Sequence, residues 1–110
     1  MHELAVATSV IDAIVERTGD KQVRGVRLEV GQLCGVCVDS LRFCFELAAA
    51  GTAVGDATLE IECPAGRAHC STCGEDFLVG DRILLCGCGS SDVRILDGEQ
   101  LRILSVEVSR

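Results

Sequence analysis

The sequence has no tryptophan and no tyrosine, and three phenylalanines are its only aromatic side chains. A core must therefore be assembled from Val, Ile, Leu and Ala, and the chain has almost no rings on which bases could stack. It also lacks a basic tract. Ten basic residues stand against seventeen acidic ones, for a formal charge of −7 and a pI near 4.7. Such a surface repels phosphate backbones, which argues against nucleic-acid binding. Long apolar stretches are missing as well. Uncharged runs such as Val30 to Val38 and Leu47 to Gly55 do not exceed nine residues, about half of a membrane span. No basic segment precedes an apolar run at the start, so the expectation is a protein without a signal peptide, working in the cytoplasm. Proline occurs once, at Pro64.

Cysteine, by contrast, is abundant: Cys34, Cys37, Cys44, Cys63, Cys70, Cys73, Cys86 and Cys88. In a cytoplasmic chain closely spaced cysteines more often hold metal or do redox chemistry than form disulfides. Apolar residues make up 48% of the 110 positions, enough for one domain carrying a small metal-braced lobe.

Hydrophobic periodicity divides the chain. Leu4, Ala7, Ile11 and Ile14 repeat at helical spacing, with Gly19 in place to end the helix. "VRLEV" alternates Val26, Leu28 and Val30 with charged residues, as a half-buried strand does. Asp39 or Ser40 is placed to cap a second helix carrying Leu41, Cys44, Phe45 and Ala48 and ending near Gly51. "TLEIEC" alternates again, directing Leu59, Ile61 and Cys63 to one side. In the final "LRILSVEV", Leu104, Val106 and Val108 form one face, whereas Leu101 and Ile103 fall out of phase. That irregularity implies a bulge or a strand covered on both faces. Between 64 and 97 short apolar pieces alternate with Gly and Cys, and Asp97-Gly98 suits a tight turn returning the chain. The expected architecture is an α/β (α+β) lobe formed by residues 1–63 plus 99–110, interrupted by a small lobe at 64–98.

The inserted lobe carries two knuckle motifs, Cys70-x-x-Cys73-Gly74 and Cys86-x-Cys88-Gly89. A glycine after the second cysteine tolerates the positive φ that lets backbone amides turn toward thiolates. Together the pairs offer four thiolates for one tetrahedral Zn²⁺, a closed site that supports a fold rather than a reaction. His69 is the nearest substitute ligand, although a solvent-exposed, inert histidine is the simpler reading. Cys34-x-x-Cys37 precedes the second helix. It is readable either as a redox pair activated by the helix N-terminus or, preferably, as two small apolar loop residues. The alternative function for the whole chain is therefore a cytosolic thiol redox protein using Cys34 and Cys37. Cys44 and Cys63 read as core fillers.

The amino terminus, Met1-His2-Glu3, admits two readings. One is a solvated helix lead-in with Glu3 favourably placed near the helix N-terminus. The other is a chelate. The terminal amine, the His2 amide nitrogen and the His2 Nδ1 can share one square plane, with Glu3 at the fourth corner. Nickel(II) accepts that geometry, whereas zinc prefers a tetrahedron. The chelate requires a free, retained Met1.

The "MHELAV" start, the "DSLRFCFEL" helix, the paired-cysteine insert "CSTCG … CGCGS" and the closing "LRILSVEV" together resemble the HypA/HybF family, nickel metallochaperones for NiFe-hydrogenase maturation. The resemblance spans essentially the whole chain. It implies a three-stranded sheet with two helices beside a zinc-ribbon-like lobe. It also implies nickel at Met1, His2 and Glu3, structural zinc at Cys70, Cys73, Cys86 and Cys88, and no enzymatic activity. Partners implied are a hydrogenase-maturation GTPase and a hydrogenase large-subunit precursor, sometimes also urease maturation, and a homodimer is left open. The chain departs from the family pattern at its second knuckle, one residue shorter than the usual C-x-x-C, and in having the Cys34–Cys37 pair. Asp39 could approach nickel as an oxygen ligand, although helix capping is the preferred role.

Overall fold

The computed structural model describes residues 2–80 and 83–109. Helix α1 (Glu3–Thr18) buries Ala7, Ile11 and Ile14, the stripe that 3.6-residue periodicity requires. It ends at Gly19, whose φ of 66° lets its amide return to the Val15 carbonyl at 2.9 Å. Strand β1 (Val23–Val30) follows, with Val23, Val26, Leu28 and Val30 buried. Helix α2 (Val38–Ala49) then buries Leu41, Phe45 and Ala49. The chain next enters strand β2 (Thr58–Glu62), which lies parallel to β1. Joining parallel strands demands a crossover, and α2 supplies it.

Helix α2 starts earlier than a cap at Asp39 or Ser40 would place it. Cys37 is the N-cap and uses no side-chain cap hydrogen bond. Glu3 compensates from the other helix: its Oε2 accepts the Cys37 N–H at 3.1 Å. In a capping box that bond comes from a glutamate inside the same helix. Helices α1 and α2 thereby meet at their amino-terminal ends.

Strands β3 (Gly66–Cys70), β4 (Asp76–Val79) and β5 (Val93–Asp97) form a second sheet of order β4-β3-β5, wholly antiparallel. Strand β6 (Leu101–Val108) returns to the first sheet, whose order is β2-β1-β6. Asp97-Gly98 is thus not a hairpin turn, since β5 and β6 belong to different sheets. It lies at the junction between them. There Gly31 N–H donates to Gln100 O at 2.7 Å, Leu33 N–H to Gly98 O at 2.8 Å and Gln32 N–H to Pro64 O at 3.0 Å. Three chain passes are locked together by main-chain bonds, and the approach is tight. A Cβ on Gly31 would fall 2.1 Å from the Gly98 oxygen, and one on Gly66 would fall 2.2 Å from Leu33 Cδ1.

The irregularity in the last strand is a bulge at Leu104. Its neighbours Ser105 and Ile103 pair with the consecutive residues Arg27 and Leu28. The shift sets Leu101 and Ile103 opposite the buried Val30 and Leu28, as Val106 and Val108 oppose Val26 and Val23, while Leu104 has no partner across the pair. Cys63 also departs from expectation. It follows the end of β2 and is exposed, its carbonyl accepting Gln32 Nε2 at 3.0 Å. Cys44 does pack partly buried against the core.

Candidate metal centre

The two cysteine motifs occupy the end of the second sheet. Cys70 closes β3, and the following turn brings Gly74 N–H back to Cys70 O at 2.9 Å. The second knuckle repeats the device with Gly89 N–H on Cys86 O at 2.9 Å. Both glycines have positive φ, 80° and 94°, the left-handed turn that side-chain-bearing residues rarely adopt. Thr72 Oγ1 and Ser90 Oγ, 2.7 Å apart, tie one knuckle to the other.

This arrangement gathers all four thiols, with the sulfurs of Cys70, Cys73, Cys86 and Cys88 within 4.8 Å of one another. The contacts cross between knuckles, Cys70 to Cys88 at 3.7 Å and Cys73 to Cys86 at 3.6 Å. Four ligands at a Zn–S distance of about 2.3 Å form a tetrahedron with edges of about 3.8 Å. Disulfide sulfurs would approach to about 2.0 Å, and all four cysteines are free. The spacing and the soft thiolate donors fit zinc. The short second knuckle brings both of its sulfurs into the cluster, and His69 is not needed. His69 Nδ1 instead contacts Asp76 Oδ1 at 2.6 Å.

Electrostatics in the cluster are uneven. The Cys73 amide points at the Cys70 sulfur and, against the cost of burial, draws that thiol down to about 6 with help from the Thr72 amide. The Glu75 amide favours a Cys73 thiolate, but the Cys86 thiol, burial and Cys70 together push Cys73 above the ordinary thiol range. Cys86 likewise receives the Cys88 amide but is raised by burial and by Cys88 and Cys70. Sulfurs this close resist accumulating negative charge until a divalent cation offsets it.

The residues expected to bind nickel lie apart from this cluster. Met1 lies outside the described residues. His2 is exposed and serves as N-cap of α1. Glu3 is partly buried in the first turn, its carboxylate pulled below the usual range chiefly by the Cys37 amide. Among the described residues His2 and Glu3 join no group of three or more potential ligands, and Asp39 stays exposed in the first turn of α2. Cys34 is half-buried against the core, whereas Cys37 is exposed. The Ser40 hydroxyl, then the Ser40 amide, draws the Cys37 thiol below its ordinary value. The link from Glu3 to Cys37 was not anticipated from sequence, because the bond joins residues 34 positions apart.

A small α+β lobe joined through a glycine-tight junction to a tetrathiolate knuckle defines the class: a metal-binding protein with a structural zinc site. A family model described as hydrogenase/urease nickel incorporation, metallochaperone, hypA matches residues 1–108. The chain is 46% identical over 112 residues to the hydrogenase maturation factor HypA of Streptomyces avermitilis, with 96% of this chain and 86% of that protein covered. It is 42% identical over 110 residues to the HypA of Prosthecochloris aestuarii, covering 96% and 97% of the two chains. The solution structure of the Ni metallochaperone HypA from Helicobacter pylori shares the fold, with a TM-score of 0.66 at 24% identity over 98% of this chain and 97% of that one. The chain belongs to the HypA family of hydrogenase-maturation nickel metallochaperones. Metallochaperones carry metal rather than catalyse a reaction. Among the described residues no helix is long and apolar enough to cross a membrane.

Proposed function

We propose that this protein takes up Ni²⁺ at its amino terminus, through Met1, His2 and Glu3, and hands it to a hydrogenase large-subunit precursor in the cytoplasm with the help of a maturation GTPase. Urease maturation is a second possible destination for the same cargo. In this reading residues 1–63 plus 99–110 form the nickel lobe, and residues 64–98 form the zinc lobe. The observation that carries it is family membership extending from residue 1 to 108, a span that includes Met1, His2 and Glu3. Exposure of His2 is consistent with the role. An exposed chelate can be dismantled one ligand at a time by an acceptor, whereas a buried one must first open.

The four cysteines hold zinc in this scheme and brace the second sheet, whose strands of four and five residues have little core of their own. The redox alternative rests on the position of Cys37 at the start of α2, and a thiol titration of Cys37 would reveal it. The nickel reading has its own test. Equilibrium dialysis of untagged protein should show nickel uptake that His2→Ala abolishes while zinc content stays constant. Equal nickel uptake by both proteins would refute the site.

A further inference from the structure

The sequence holds no asparagine, and of its aspartates only Asp97 precedes a glycine. The structure fixes that glycine in place. Gly98 is buried with a φ of 114°, and a Cβ there would fall 2.5 Å from the Gly66 Cα. Any other residue would be strained in its own backbone and would collide with the neighbouring chain. The junction between the two sheets therefore demands glycine directly after Asp97, whatever that pairing does chemically.

The contacts supply the chemistry. Asp97 Oδ1 accepts the Gly98 N–H at 3.0 Å, so the carboxyl group of one residue lies against the main-chain nitrogen of the next. That contact brings the nitrogen beside Asp97 Cγ, the starting geometry for ring closure, and glycine places no side chain in the way. Asp97 is exposed, and an open pocket of about 210 Å³ lined by residues 95–100 admits water to it. One contact opposes the reaction. Gln100 Oε1 accepts the same Gly98 N–H at 2.8 Å, and the ring cannot close until that proton leaves.

We infer that Asp97-Gly98 is a site of spontaneous aspartyl isomerisation, restrained by Gln100, that loosens the clasp between the two sheets. The Gly98 nitrogen bonds to Asp97 Cγ, and a carboxyl oxygen departs as water, with the amide proton and one proton from solvent. The product is a five-membered succinimide. Water then adds to the former main-chain carbonyl carbon of Asp97 and breaks its bond to the Gly98 nitrogen. The main chain now runs through Cβ and Cγ, one carbon longer, with the α-carboxylate as a side branch and the mass unchanged. The added carbon falls within the junction. Gly98 O accepts the Leu33 N–H at 2.8 Å and Gln100 O accepts the Gly31 N–H at 2.7 Å, and both acceptors shift when the chain lengthens beside them. Nothing in this reaction depends on nickel.

The test ages the zinc-loaded full chain at physiological temperature and maps its peptides by electron-transfer fragmentation, which distinguishes the two linkages at equal mass. Isomer should accumulate at residue 97 and not at Asp39, whose neighbour Ser40 is held inside helix α2. Gln100→Ala should form it about threefold faster or more. Asp97→Glu keeps the charge but would need a six-membered ring, and should form none. Circular dichroism melts check that each variant folds. The isomerised chain, once separated, should lose amide-exchange protection at Gly31 and Leu33. A residue 97 that stays normally linked, over a period in which a free 93–102 peptide converts measurably, overturns the inference. So does a folded Gln100→Ala that isomerises no faster, or an isomerised chain whose Gly31 and Leu33 amides stay protected.

Discussion

At the residue scale, two kinds of position carry the structure. Cysteines 70, 73, 86 and 88 converge because each knuckle turns on a glycine of positive φ. Removing one thiolate leaves an open tetrahedron, so Cys73→Ser should lose zinc and loosen the second sheet. Metal analysis and circular dichroism read both effects, and unchanged zinc content would identify the wrong ligands. The second kind is the glycine that admits no side chain. At Gly31 a methyl group would collide with the Gly98 carbonyl, a main-chain atom that cannot rotate away. Gly31→Ala should therefore cost about 1–3 kcal/mol of stability, measured by calorimetry. The knuckle glycines were legible in the sequence because they follow the cysteines directly. The Gly31 contact was not, because it depends on a neighbour 67 positions along the chain.

At the scale of elements, periodicity located both helices and all three strands of the first sheet, since each buries one face against a shared core. Leu28, fully buried in β1, lies at the centre of that core. Leu28→Ala should lower the unfolding free energy by about 2–5 kcal/mol, observed as a reduced urea midpoint. The second sheet was harder to read. "GRAHC" alternates Gly66, Ala68 and Cys70 with Arg67 and His69, but its inward residues are small and lack the branched or aromatic side chains that mark a strand. It is nonetheless the central strand of its sheet. Gly66 is small because Leu33 and the Val79 carbonyl press on it, and Cys70 is there for its sulfur. Ile83 to Leu85, which does look strand-like, forms no strand. A short sheet braced by thiolates does not need the apolar faces from which strands are recognised. The α2 boundary was misplaced for a related reason: its start is stabilised by Glu3, from the other helix.

At the scale of the whole molecule, the four-cysteine cluster belongs to one sheet of a body 53 Å long and 24 by 18 Å across, apart from the proposed nickel site. The four cysteines gather in one cluster, whereas His2 is exposed and Glu3 partly buried at the start of the first helix. A strong zinc chelator should accordingly disorder the second sheet first. Amide exchange should accelerate in β3 to β5 while β1 and α1 remain protected, and uniform acceleration would show that the two sheets unfold as one unit. Family membership establishes the class of function, but the nickel ligands themselves remain the central claim. The most direct measurement adds one residue ahead of Met1 and repeats nickel dialysis beside zinc analysis. The account predicts one retained zinc and the loss of nickel, because extension removes the terminal amine from the chelate. Nickel held as firmly by the extended protein as by the native one would contradict it.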